Sequence, residues 1–296
     1  MAKRLPRART LKGDPALAHY YSEPSDGGAG AAGEPAILLI HGSLARSEDW
    51  ENVFPRLATR YRTVAYDLRG HGRSGRATDY SLRAFGDDAL RVQRTIVKGP
   101  VVAIGSSLGA LCAIALAARE PEQVLGIVLE DPNVSYGAAW DAARYKPLRD
   151  ALDHLDDQKA FLKVVERWPL PSPGPRGERT HGELRGFYAA DRMATYLRDV
   201  DPAFLDARTG ADDASAQPAL AEWLAAVRCP VLVLAGEPRL GSNLDDNGEW
   251  KLKRATKDLV VKRLPGTGHW IHGFRPEQFL ENIEPFLRRL RTTRVA

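Results

Sequence analysis

Cysteine is scarce in this 296-residue sequence: only Cys112 and Cys229 occur, both inside apolar segments. Two such thiols cannot build the disulfide framework of a small secreted fold, and they are expected as buried free thiols. Long apolar runs are also missing, since nothing approaches the roughly 18 consecutive apolar residues that a membrane span requires. The opening residues, MAKRLPRARTLKG, are basic, but no apolar stretch follows them as it would in a secretory leader. A cytoplasmic protein with no membrane partner is the resulting expectation. Acids are absent from residues 1–12, which carry Lys3, Arg4, Arg7, Arg9 and Lys12 and outweigh the whole net charge of +4. The rest of the chain is near neutral with interspersed signs. Residues 1–15 are therefore expected as a disordered basic tail, and nucleic acid is not expected as a partner. No internal repeat is visible.

What the sequence has is alternation of short apolar runs with helical patterns. Ala36–Ile40, Val101–Ile104, Val124–Leu129 and Pro230–Ala235 are continuous apolar runs, as in central parallel strands buried on both faces. Thr63–Tyr66 and Leu259–Leu264 read as two more strands, the last nearer an edge. Helical patterns cover Leu82–Val97, Leu108–Arg119 and Pro276–Leu290, the middle one apolar almost all round. This order predicts an α/β protein with a doubly wound, mostly parallel sheet. Gly27–Gly33 reads as a flexible connector ahead of the first central strand.

The alternation stops between about residues 133 and 228. That stretch is charged, with loop signals at Pro169–Gly177 and Thr209–Gln217. Its dispersed aromatics are Trp140, Phe161, Trp168, Phe187, Tyr188, Tyr196, Phe204 and Trp223. A mainly helical cap over residues 133–228 is predicted, inserted into a core made of 16–132 and 229–292. Some of these aromatics are expected to line a largely apolar pocket, with Leu44, Trp140, Trp168 and Trp270 as substrate-binding candidates.

Gly105-Ser106-Ser107-Leu108-Gly109 follows an apolar strand and opens a helix, the setting a nucleophile elbow requires. The turn is tight enough that only glycine avoids collision at the flanking positions. Its strain lifts the hydroxyl of Ser107 above the sheet edge, at a helix N-terminus that favours a developing anion. A serine hydroxyl needs a base. His269, in the Gly-rich loop after LVVKRL, is the candidate; His272, three residues on, is its competitor and is expected instead to pack or polarise the same loop. His41 is expected to brace a backbone turn, and His19, His71, His154 and His181 have no such setting. The two oxyanion donors are expected from the N–H groups of Leu108 and Ser43, with Leu44 close behind.

Taken together, IHGS at 40–43, DLRGHGRS at 67–74, GSSLG at 105–109, LEDP at 129–132 and GTGHWIH at 266–272 resemble the α/β-hydrolase superfamily, in its order and spacing. The resemblance covers about Ala16–Ser135 and Val227–Leu290. It implies a Ser-His-acid triad, no metal and no organic cofactor, with DLRGHGRS marking the fold and not the chemistry. The sequence departs from the family at the acid. Many members carry an aspartate three residues after the glycine that ends the strand at 230–235, and here that position is Arg239. Asp131, after the earlier strand and just before Pro132, is the expected acid; Glu130, Asp245 and Asp246 remain competitors.

The expected reaction is hydrolysis of an ester, lactone or thioester of a small-molecule acyl substrate through an acyl-enzyme. Serine at the elbow disfavours the dehalogenase and epoxide hydrolase chemistries, whose members use aspartate there. Carbon–carbon bond hydrolysis, biosynthetic acyl transfer or cyclisation, and a receptor-like member with slow turnover stay open, as do the natural substrate and the oligomeric state.

Overall fold

The computed structural model describes residues 5–24, 35–134, 138–153, 157–170, 179–209 and 216–292, without the side chains of 138–143 and 291–292. The expected connector Gly27–Gly33, and His154, lie outside the described residues. Among the described residues ten strands occur in chain order: β1 (Arg9–Leu11), β2 (Leu17–Ser22), β3 (Ala36–Ile40), β4 (Thr63–Tyr66), β5 (Val101–Ser106), β6 (Val124–Glu130), β7 (Pro169–Leu170), β8 (Arg179–Thr180), β9 (Val231–Ala235) and β10 (Leu259–Arg263). The α-helices are α1 (Phe54–Leu57), α2 (Leu82–Val92), α3 (Leu108–Arg119), α4 (Ala138–Leu152), α5 (Gln158–Arg167), α6 (His181–Leu197), α7 (Pro202–Thr209), α8 (Ala216–Ala226), α9 (Asp246–Ala255), α10 (Ile271–Phe274) and α11 (Pro276–Thr292).

Eight strands form one sheet in the order β1-β2-β4-β3-β5-β6-β9-β10. From β4 to β10 along the sheet all pairings are parallel, and only β2 runs the other way, pairing antiparallel with both β1 and β4 at one edge. The apolar runs become central strands because both sheet faces are covered. All five residues of β3 are fully buried, with Leu38 and Ile40 in one hydrophobic layer and Ile37 and Leu39 in the other. The first layer is built with α2, α3 and α8; the second with Trp50, Phe54, Tyr61 and the apolar face of α11.

Register sets where the loops emerge. Ile40 pairs with Gly105, Ser106 with Glu130, and Glu130 with Leu234, so β3, β5, β6 and β9 end at one level. The segments that follow them meet at that carboxyl edge, where open α/β sheets place their sites.

Two expectations need correction. The tail does not extend to residue 15: Arg9–Leu11 is a strand paired with Leu17–His19, and Leu5 and Ala8 pack against the second hydrophobic layer. Five positive charges hid a short strand whose first two residues are exposed. The inserted layer also ends sooner than residue 228. Helix α8 packs on α2 and α3 and buries Trp223 in the core, so it belongs to the sheet's own helical layer. Helices α4 to α7, with the small β7–β8 pair, make up the layer above the sheet edge. Tyr80 Oη donates to Asp201 at 2.6 Å, and Phe204 packs edge-on against His71, fastening α7 to the turn after β4.

Candidate active site

Strand β5 runs straight into α3 through Ser107, whose φ of 53° and ψ of −115° lie outside any regular element. A Cβ on Gly105 would sit 2.1 Å from the carbonyl oxygen of Gly109, and one on Gly109 would sit 2.2 Å from that of Ile40. Both glycines are therefore demanded by close backbone approach, as the G-x-S-x-G spacing anticipates. Among the described residues, four non-glycine residues adopt positive φ; three of them, Leu44, Ser107 and Asp131, border this site, the fourth being Lys98. Backbone strain concentrates where side chains must be aimed.

The loop after β3 lies against the elbow. A Cβ on Gly42 would be 3.2 Å from the Cβ of Ser107. His41 holds this loop from beneath: its Nε2 accepts from the Leu68 N–H at 2.9 Å, which leaves Nδ1 to donate to the Gly42 carbonyl at 2.8 Å. Burial lowers its pKa, keeping the ring neutral for that role. Ser43, Ser107 and Leu108 line one recess. The N–H of Leu108 belongs to the first turn of α3, whose donors have no acceptor within the helix.

Asp131 follows β6 and is completely buried. Its Oδ2 lies 2.6 Å from Nδ1 of His269. The same carboxylate accepts from the Asn243 N–H at 2.7 Å, the Gly236 N–H at 3.4 Å and the Ser242 hydroxyl. The segment after β9 thus contributes donors to the carboxylate of β6. Nε2 of His269 is 3.3 Å from the side-chain amide of Asn243. With Asn243 donating there, the proton of the neutral ring is assigned to Nδ1, facing Asp131. Burial lowers the pKa of His269; the bond to Asp131 and its charge oppose this, and Arg185 adds to the lowering.

The competing acids have other partners. Glu130 accepts from the His272 N–H at 2.7 Å and lies 2.5 Å from its Nδ1. Asp245 caps α9 through the Gly248 N–H at 2.6 Å, and Asp246 projects into solvent. Arg239, at the family's usual acid position, is exposed and pairs with Glu237. Asp67 accepts from the Ser47 and Arg73 N–H groups and so ties two turns together.

Ser107 and His269 open into one cleft of about 700 Å³, counted to its open mouth. Leu44, Trp168 and Trp270 line it, whereas the side chain of Trp140 lies outside the described residues. Its cap side combines apolar surface from Trp168, Ala189 and Met193 with charge. Arg144, Arg185, Arg192 and His181 line it beside Tyr145 and Tyr196, and the aromatics Phe161, Phe204 and Trp223 are spent on packing. Phe187 and Tyr188 are exposed. Sequence reading missed Asn243, His181 and the arginines; a polar residue on an irregular loop, or an arginine on an amphipathic helix, carries no periodic signal.

The family described as alpha/beta hydrolase fold matches residues 35–276. The chain belongs to this family. It is 29% identical to a 2-(acetamidomethylene)succinate hydrolase of Mesorhizobium japonicum, over 86% of this chain and 88% of that protein. It is 28% identical to an (E)-2-((N-methylformamido)methylene)succinate hydrolase of Acinetobacter baylyi, over 91% and 94%. The structure of an enol-lactonase from Burkholderia xenovorans superposes with a TM-score of 0.72, covering 95% of this chain and all of that one at 19% identity, a likeness of fold.

Proposed function

We propose that this α/β-hydrolase is a serine hydrolase that cleaves a carboxylic ester, lactone or thioester through an acyl-enzyme. The observation that carries this reading is the 2.6 Å contact between Asp131 and Nδ1 of His269, in a cleft shared with the strained Ser107. Nε2 of His269 takes the proton of the Ser107 hydroxyl as the oxygen attacks the substrate carbonyl. The oxyanion of the tetrahedral intermediate is held by the N–H groups of Leu108 and Ser43. Collapse expels the leaving group, which takes the proton from His269. Water, deprotonated by the same ring, then attacks the acyl-enzyme and releases the acid and free Ser107. Asp131 keeps the imidazole in the Nδ1–H tautomer and supports the transient imidazolium. Asn243, whose side-chain amide lies 3.3 Å from Nε2, turns aside when the serine hydroxyl bonds there.

Turnover of p-nitrophenyl acetate tests this reading. Ser107→Ala is expected to lose nearly all of it, and Ser106→Ala to keep a substantial fraction. Equal rates for Ser107→Ala and the unaltered protein would remove Ser107 as the nucleophile, and no turnover by either would leave a ligand-binding member of the family.

A further inference from the structure

Arg185 stands on α6 where the helix breaks: Gly186, next in sequence, has φ 76° and ψ 174° inside the helical span. Open space surrounds Gly186, so glycine serves the backbone angle there and not a close approach. On one side of the break Phe187 and Tyr188 face solvent; on the other Arg185 lines the cleft of Ser107 and His269.

The Nε and Nη2 atoms of Arg185 are buried and meet no acceptor. Burying guanidinium donors unpaired is costly, so folded chains rarely retain such a group without a use for it. Burial and the neighbouring charge of Arg144 pull its pKa down to about 10, which still leaves a cation at neutral pH. The chain's own nearby carboxylates are engaged elsewhere. Asp131 is bonded to His269, and Asp49 to His272, Trp270 and Arg192. Arg192 is in turn matched by Asp49 and Glu51. A second buried polar atom is unmet in the same cleft: Nδ1 of His181 has no partner. Burial, with Arg185 and Arg144 beside it, drives the pKa of His181 down to about 2, so the ring offers a neutral hydrogen bond.

We propose that Arg185, assisted by His181, is an anion subsite that takes a carboxylate borne by the substrate away from its scissile carbonyl. The planar guanidinium fork matches a carboxylate with two parallel hydrogen bonds. The unmatched guanidinium atoms of Arg185 suit one negative charge, and Arg192, already paired, cannot balance a second. The substrate class is therefore an acid ester, lactone or thioester: one end is cut at Ser107 while the other is held under the cap. This rests on the hydrolase reading of the same cleft.

The test separates the two claims by using protein that cannot turn over. Ser107→Ala protein is titrated by calorimetry with the monomethyl esters of succinate, glutarate and adipate, and with the corresponding dimethyl esters. At least one monoester is expected to bind tenfold or more tightly than its neutral diester, as a charge-assisted hydrogen bond implies. Adding Arg185→Gln should remove that preference; Arg185→Lys, which keeps the charge but not the fork, should lose most of it. Melting temperatures establish that both double variants fold. Equal affinity for monoesters and diesters, no binding of any monoester at millimolar concentration, or a preference that survives Arg185→Gln would overturn the subsite. If Arg185-dependent monoester binding is found but the unaltered protein turns over no ester, the hydrolase reading fails and the subsite stands.

Discussion

The side chain of Glu130 grips His272 through both its backbone N–H and its ring Nδ1, while Asp131, the next residue, grips His269 of the same loop. Successive residues at a strand end point opposite ways, so one strand terminus holds two histidines of one segment in separate environments. His272 is 1% exposed, stacked on Trp50 and bounded by Glu130, Asp49, Trp270 and Phe279. Burial opposes its charge, but the two carboxylates prevail and lift its pKa to about 9.

This raised pKa makes stability depend on pH. The contribution of His272 is fully present below its unfolded pKa, near 6.5, and is lost as pH rises through about 9. Its size is on the order of 3 kcal/mol. The melting temperature should therefore fall between pH 6.5 and 9, and His272→Gln should flatten that part of the profile. A wild-type profile level over this window would refute the charge on His272.

Loss of the acid should be felt in chemistry. Asp131→Asn is expected to fold and to lose kcat by a factor on the order of 10⁴, the scale on which Ser-His-Asp enzymes depend on their acid. Asp245→Asn and Asp246→Asn should stay within about tenfold, because one caps a helix and the other is solvated. Glu130→Gln should chiefly lower the melting temperature, since it leaves a buried imidazolium short of a partner. Comparison of kcat/KM on one p-nitrophenyl ester and of melting temperatures for the four variants checks all of this.

The pH–rate profile reports His269. The ring is faced by Asp131, Glu130, Arg185 and His181, with Asn243 at Nε2. Burial and Arg185 hold its pKa below 6.5, and the neutral ring is the base, so the acid limb of kcat/KM should lie below pH 6.5. Removing the positive charge in Arg185→Gln makes the imidazolium easier to form, and the limb should move to higher pH on a neutral ester. A limb that stays put would separate Arg185 from the base electrostatically.

Much of this architecture is legible in the residues. The central strands announce themselves because burial on both faces leaves only apolar side chains, and the elbow because close backbone contacts admit only glycine at 105 and 109. The strands of the N-terminal edge were hidden: β2 reads LAHYYS, with polar-tipped residues, and β1 is three residues inside a basic run. The cap side of the cleft was hidden for another reason. Arg185 and His181 violate the burial pattern of their helix, and such violations mark function only once the fold shows what surrounds them.

The N-terminal segment offers a check on the edge. Leu5 and Ala8 pack on the layer containing Trp50 and Phe54, and Arg9–Leu11 completes the sheet. Deletion of residues 2–12 should lower the melting temperature by several degrees, with little change in kcat if the sheet edge closes over. An unchanged melting curve would return this segment to a dispensable tail.

The central claim is that Ser107 forms a covalent bond to the substrate carbonyl. It is tested most directly by labelling with a fluorophosphonate and mapping the adduct by mass spectrometry. A single adduct on Ser107 is expected, formed far more slowly in Asp131→Asn and His269→Gln. An adduct on Ser106, or labelling of Ser107 at an undiminished rate without His269, would contradict it.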